Sequence, residues 1–341
     1  MAITTNESNN GHRLLKVQNL KISFKTDEGI ITAVDGVNFS VNRGQTLGIV
    51  GESGSGKSVS TQAIMRLLPK NAVIGKDSSI ELHRKNGEIV EIMQLKPNGR
   101  EIRNIRGGEV AVIFQEPMSS FSPVYTVGNQ IMEAILEHRD ISKKEAQEIA
   151  IDLLDRVGIP NPRQRFKQYP FELSGGMRQR AMIAVALSSN PSLLIADEPT
   201  TALDVTIQAQ VLELMKELQE EFGMAIIFIT HNLGVIAQIA DEIAVMYLGE
   251  VVEQGSRRDI FYNPKHPYTI NLLNAIPRIG KGKNQRLVAI EGGVPSPLAR
   301  PQGCPFHTRC QQMIPGRCDV DVPHTTQISD THTVNCFLYE D

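Results

Sequence analysis

Gly51-Glu52-Ser53-Gly54-Ser55-Gly56-Lys57-Ser58 is the stretch that decides the fold. It follows a short apolar strand at residues 46–50 and opens a helix expected over 59–68. Glycines at this spacing let the backbone curl so that successive N–H groups point inward. Those groups and the helix dipole form a cradle for phosphates. Lys57 adds a positive charge on the β- and γ-phosphates, and the Ser58 hydroxyl suits Mg²⁺. Gly51, Ser53, Gly54, Ser55, Gly56, Lys57, Ser58 and Val59 are therefore candidate nucleotide-binding residues.

Outward from this loop, strand and helix alternate. Strand patterns fall at 14–24, 33–41, 110–114, 192–196, 225–230 and 242–247. Helical patterns fall at 127–158, 174–189, 207–221 and 232–240, with Ser142 and Glu145 spaced as a capping box. Several of the strands are continuously apolar, as in an α/β domain whose parallel sheet is buried on both faces. Residues 70–109 are irregular, and the pairs Asn86-Gly87 and Asn98-Gly99 suggest hairpins. Beyond Gly255 the texture changes, with nine prolines from Pro264 to Pro323. The expected layout is a disordered tail at 1–13, a nucleotide-binding domain at 14–255 with a helical subdomain at about 120–190, and a small loop-rich domain at 256–341.

Composition narrows the function. The 341 residues carry 35 Lys plus Arg against 38 Asp plus Glu, a balance of −3. That argues against a broad nucleic-acid surface. At 41% hydrophobic and 21% charged, the chain can bury a core and is too apolar for wholesale disorder. No apolar run approaches the ~20 residues that span a bilayer, and residues 1–15 lack a signal-peptide core. The expected location is the cytoplasm, with membrane contact only through a docked membrane protein.

A second apolar strand ends in Asp197-Glu198. Asp197 suits a Mg²⁺ contact through water, and Glu198 suits a general base for the attacking water. Leu173-Ser174-Gly175-Gly176 opens another helix and offers a second anion site. Together these motifs resemble the ATP-binding subunits of ABC transporters over roughly residues 14–255. In that family each ATP lies between the phosphate loop of one subunit and the signature loop of the other, which Ser174, Gly175 and Gly176 match. The resemblance implies a mixed-sheet core with an antiparallel β subdomain and a helical subdomain. It also implies roles for single residues. Gln115 matches the glutamine that touches Mg²⁺ or water and links to membrane subunits. His231 matches the histidine that senses the γ-phosphate. Asp204 matches the loop facing the opposite subunit. Phe24 is placed like the aromatic that stacks on adenine, although a lone strand aromatic also suits a core. Met177 stands where many relatives have Gln, and Asn232 where Asp is usual.

All four cysteines lie near the C-terminus, spaced Cys304-x5-Cys310-x7-Cys318-x17-Cys336. Disulfides are rare in the cytosol, so such a cluster reads first as a metal site. No tight pair of the kind usual in zinc sites occurs, and ferredoxin runs use short spacings too. By spacing alone, Zn²⁺ and a 4Fe-4S cluster both stay open. The stretch from Asn263 to Thr269 and the cysteines resemble the oligopeptide/dipeptide branch of ABC importers, which implies 4Fe-4S. With little core in a proline-rich domain, a metal would serve folding first, and redox sensing is the alternative.

The resemblance implies an ATPase motor for uptake of peptides, or of another solute such as nickel or oligosaccharides. Its partners would be a second ATPase subunit, expected as a sibling chain, two transmembrane permease subunits and an extracytoplasmic solute-binding protein, with no nucleic acid. The chain would sit on the cytoplasmic face of the inner membrane. A soluble ABC ATPase acting on DNA or ribosomes would carry a coiled-coil insertion or a second cassette, and neither is visible. An ATP-using iron–sulfur redox enzyme would need a second redox centre, and none is visible either.

Overall fold

The computed structural model describes residues 13–115, 120–201, 203–276, 290 and 292–340. The tail read over residues 1–13 lies outside them except for Arg13, which already belongs to the first strand. In chain order the strands are β1 (Arg13–Thr26), β2 (Gly29–Asn42), β3 (Thr46–Val50), β4 (Ala72–Ile74), β5 (Ser79–His83), β6 (Ile89–Glu91) and β7 (Val110–Ile113). There follow β8 (Leu193–Asp197), β9 (Ala225–Thr230), β10 (Glu242–Tyr247), β11 (Glu250–Ser256), β12 (Thr325–Ser329) and β13 (His332–Asn335).

The chain forms two units that interleave in sequence. One draws on Ser40–Gln45 and Glu81–Phe228, the other on Lys16–Phe39, Thr46–Ile80 and everything from Ile229 onward.

In the first unit β7 and β8 run parallel, Val110 opposite Leu193 and Ile113 opposite Ala196. Leu193 to Ala196 are buried, which is why this strand shows no polar alternation. Helices Val127–His138, Lys143–Arg156 and Gly175–Leu187 pack on one another and make up the helical part. The Ser142–Glu145 capping box is present. Asn86-Gly87 turns β5 into an antiparallel pairing with β6. Asn98-Gly99 makes no hairpin. Gly99 has φ −71°, not the positive φ that a tight hairpin turn needs, and instead precedes the helix Arg100–Ile105.

In the second unit the strand neighbours run β12-β13-β11-β10-β3. β3 and β10 are parallel and the other pairs antiparallel. The sheet is therefore mixed, as the motif resemblance implied, with β3 wholly buried and β10 buried beyond its first residue. β4 pairs antiparallel with β1 in the same unit. The C-terminal region is not only loops: β13 pairs with β11, Glu253 opposite Val334. Among the described residues no helix is long and apolar enough to cross a membrane.

Candidate functional site

The phosphate loop leaves the buried end of β3 and enters the helix Lys57–Ile64. Gly56 precedes the helix at φ 93°, and a Cβ there would lie 2.4 Å from the Ala33 carbonyl oxygen. A Cβ on Gly51 would lie 2.1 Å from the Met246 carbonyl oxygen. Neither position admits a side chain without moving backbone. No side-chain hydrogen bond caps the start of the helix, the end at which the helix dipole favours an anion. Lys57 is buried, and its Nζ donates to the carbonyls of Gly51 and Glu52, each at 2.8 Å. Ser55 is buried, Ser58 and Val59 are half-buried, and Ser53 and Gly54 are exposed. These contacts fit a phosphate group: a cradle that only glycine allows, an uncapped helix start and a lysine held on the loop.

In the same unit Phe24 stands opposite Ala72 and is half-buried, so it is not a core residue. His231 is exposed immediately after β9. Asn232 caps the next helix by accepting the Gly234 N–H at 2.9 Å. The substitution of Asn for the usual Asp thus keeps a capping oxygen.

The first unit holds the carboxylates. Because Ile113 and Ala196 are parallel partners, the chain two residues beyond each brings Gln115 and Glu198 together. Gln115 Nε2 donates to Glu198 Oε2 at 3.0 Å, and Thr201 Oγ1 donates to the same oxygen at 2.9 Å. Glu198 has φ 46°, an uncommon left-handed conformation for a residue with a side chain. It turns the backbone sharply at the strand end, right after half-buried Asp197. Ser174 caps its helix by accepting the Met177 N–H at 3.3 Å. Gly175 is exposed with open space at its Cα, while a Cβ on Gly176 would lie 3.1 Å from Ile207. Asp204 caps the helix Val205–Phe222, accepting from the N–H groups of Thr206 and Ile207. Its side chain thus has a structural task within its own subunit.

Sequence reading passed over Thr201, Tyr268 and Arg309. Thr201 could have been found three residues after Glu198. Tyr268 lies in the 263–269 stretch already singled out, but nothing in that stretch shows that its hydroxyl accepts the Glu52 N–H, at 3.0 Å.

The four cysteines are free thiols, three of them buried. Burial pushes Cys304 up to about 12 and Cys336 up to about 11, and it raises Cys310 as well. Cys304 is also raised by the charge of the other three, Cys336 by that of Cys310 and Cys318, and Cys310 by that of Cys318. The Cys304 N–H donates to the Cys318 carbonyl at 2.8 Å, and Cys318 Sγ accepts the Ile314 N–H at 3.3 Å. Among the described residues, however, no three His, Cys, Asp or Glu side chains are grouped as a metal ion requires. The thiols suit a thiolate-bound metal by chemistry, and their arrangement does not form its coordination shell.

A buried strand feeding a glycine loop and helix, with a second buried strand ending in paired carboxylates, defines a phosphate-loop ATPase. Comparison with known proteins carries this further. Residues 34–201 match the family model for ABC transporters, and residues 252–318 match that for the oligopeptide/dipeptide transporter C-terminal region. The dipeptide transport ATP-binding protein DppD of Bacillus subtilis is 49% identical, covering 96% of this chain and 95% of its own length. The oligopeptide transport ATP-binding protein OppD of Salmonella typhimurium is 50% identical, covering 87% and 86%. Among solved structures, the dimeric bacterial ABC transporter cassette MJ0796 superposes with a TM-score of 0.62 at 27% identity, covering 72% of this chain and 99% of its own. The chain belongs to the ATP-binding subunits of ABC transporters, in the oligopeptide/dipeptide branch, and its activity is that of an ABC ATPase.

Proposed function

We propose that this subunit drives peptide import, with ATP bound at residues 51–59 and hydrolysed at an interface with a second ATPase subunit. One observation carries the proposal: relatives about half identical along nearly the whole chain are dipeptide and oligopeptide transport ATP-binding proteins. Nickel or oligosaccharides are the other solutes in view.

The site residues take these parts. The loop N–H groups and Lys57 bind the β- and γ-phosphates, and Phe24 stacks on adenine. When phosphate enters, Lys57 exchanges the carbonyls of Gly51 and Glu52 for phosphate oxygens. Ser58, Gln115 and Asp197 would hold Mg²⁺, which neutralises charge on the transferring phosphoryl group. Glu198 orients and polarises the attacking water. Gln115 and Thr201 hold its carboxylate, and Gln115 must yield its hydrogen bond for water to take that place. His231 senses the γ-phosphate. Ser174, Gly175 and Gly176 serve the ATP of the opposite subunit, and Asp204 lies on the loop that faces it.

The proposed partners are a sibling ATPase, two permease subunits and, through them, an extracytoplasmic solute-binding protein. The subunit then sits on the cytoplasmic face of the membrane. The division near residue 255 belongs to the same proposal, supported by two separate family matches, one over residues 34–201 and one that begins at 252. So does a 4Fe-4S cluster at Cys304, Cys310, Cys318 and Cys336, with Zn²⁺ as alternative. The electrostatic influence of the other three thiols on Cys304 supports it, and closing the shell requires the thiols to move from their described arrangement.

Affinity purification from native membranes in mild detergent tests the proposal. Two multi-span proteins and a second ATPase in equal amounts are the expected result. Recovery with ribosomes or DNA-repair proteins, and no permease, would overturn it. Iron and zinc analysis of the same preparation decides the metal.

A further inference from the structure

Arg309 reaches back to the phosphate loop from between two of the cysteines. Its Nη1 donates to Glu52 Oε2 at 2.7 Å and its Nη2 to Glu52 Oε1 at 3.2 Å. This is the two-pronged geometry in which a guanidinium holds a carboxylate most firmly. Exposed ion pairs contribute little, but the Arg309 side chain is only 4% exposed. Nη1 also lies 3.3 Å from the Tyr247 hydroxyl, and the guanidinium stands over the Tyr247 ring.

The rest of the contact is equally specific. Arg309 ends the turn His307–Arg309, and its own N–H donates to the Phe306 carbonyl at 3.0 Å. Phe306 is fully buried, edge-on to Tyr247 and tilted against Tyr268. Tyr268 accepts the Glu52 N–H, and Lys57 takes the Glu52 carbonyl. Glu52 is therefore fixed at its N–H, its carbonyl and its carboxylate. Two of those three ties come from beyond residue 264. Glu52 is also the loop residue between Gly51 and Ser53, so its backbone angles help aim the N–H groups that the cradle depends on.

We infer that Arg309 is a positioning residue for the phosphate loop: the 304–310 segment clamps Glu52, and the loop binds ATP at full strength only while that clamp is closed. The inference rests on the reading of residues 51–59 as the ATP phosphate site. A merely structural staple would have the same contacts but would leave nucleotide affinity alone.

The experiment uses the full chain as wild type, Arg309→Gln, Arg309→Lys, Glu52→Gln and the double variant Arg309→Gln/Glu52→Gln. Binding of a fluorescent ATP analogue with Mg²⁺ is titrated, and thermal melting is followed in parallel. Arg309→Gln and Glu52→Gln should each raise Kd about tenfold, the scale of one charge-assisted hydrogen-bonded pair. The double variant should be no worse than either single one, because its second change removes a partner already idle. Arg309→Lys, which keeps the charge and loses the fork, should fall between. In hydrolysis, KM should rise more than kcat falls.

Wild-type affinity in every variant, with only a lower melting temperature, overturns the inference. So do Kd effects that multiply in the double variant. If wild type itself binds no nucleotide, the reading of the loop is what fails. If Arg309→Gln does not fold, Glu52→Gln decides alone, since its carboxamide has the same shape and its side chain is partly exposed.

Discussion

The phosphate loop and the cysteine-bearing region lie in the same unit, and they are built on opposite principles. The loop is local: eight consecutive residues between a buried strand and a helix, held by glycines at positions where a Cβ would strike backbone. The cysteine region has few elements longer than five residues, and distant partners hold it. β13 pairs with β11, His332 Nε2 bonds Glu253 at 2.8 Å, and Arg309 bonds Glu52. A contiguous motif carries its geometry in its own chain. A region with little core takes its geometry from whatever it docks on. The consequence is that chemistry and stability should separate between the two on mutation.

The largest effect belongs on the chemical side. Glu198→Gln keeps the shape of the side chain and an oxygen that still accepts from Gln115 and Thr201. It removes the base, so hydrolysis by the assembled transporter should fall by about 10²–10⁴-fold. ATP affinity should stay within a few-fold and the melting temperature should barely move. Phosphate release at saturating Mg-ATP measures this, and a loss smaller than tenfold would return Glu198 to the role of a solvated strand end.

The second effect belongs on the structural side. Glu253 is almost fully buried, and its carboxylate accepts from the N–H groups of Lys265 and His266 and bonds His332. Glu253→Ala would strand these buried groups, at a cost of roughly 1–3 kcal/mol for each. Burial also holds His266 down to about 3, so its ring stays neutral and cannot substitute as a charged partner. A loss of about 3 kcal/mol or more in unfolding free energy is expected, with early loss of protection in the amides of β13. Hydrogen exchange read by mass spectrometry would show it. Unchanged exchange in β13 would mean that the cysteine region stands without this anchor.

The same contrast decides what could be read in the sequence. Residues 51–58 were legible because phosphate binding by backbone demands glycine at fixed spacing, so composition encodes geometry. The apolar strands at 46–50 and 225–230 were legible because both faces of a parallel sheet are buried. Gln115 and Glu198 could be named one by one, but their 3.0 Å bond depends on the register of β7 against β8, which no motif states. Asn98-Gly99 misled because the same dipeptide can open a helix as well as turn a hairpin. Glu52 and Arg309 are 257 positions apart, and an Arg beside a Cys carries no signal of its partner. The cysteine spacing left the metal open because no tight pair fixes a ligand geometry in advance.

A third test uses pH to separate the two regions with a smaller effect. Arg300, from the C-terminal region, bonds Glu250 of β11 and lies 3.3 Å from Asp35, which in turn pairs with Lys21. Burial pushes the Glu250 carboxyl up to about 7, while Arg300 pulls it down, Asp35 adds to the rise and Lys21 opposes it. In the unfolded chain the same carboxyl titrates near 4.3. Between those values the folded state holds a proton that the unfolded state has released, so stability falls as pH rises across the window. A raised carboxyl of this size corresponds to at most about 4 kcal/mol, fully present below pH 4.3 and gone above 7. Glu250→Gln cannot titrate. The difference in unfolding free energy between variant and wild type should therefore shift in the variant's favour by up to about 3 kcal/mol from pH 5 to pH 8. Whatever Glu250→Gln costs in lost attraction to Arg300 is a constant offset and drops out of that comparison. ATP affinity should follow no such trend, because none of these four side chains belongs to the loop. A gap between variant and wild type that stays flat with pH would show Glu250 to be ionised throughout, and the C-terminal region would then be held there by an ordinary ion pair.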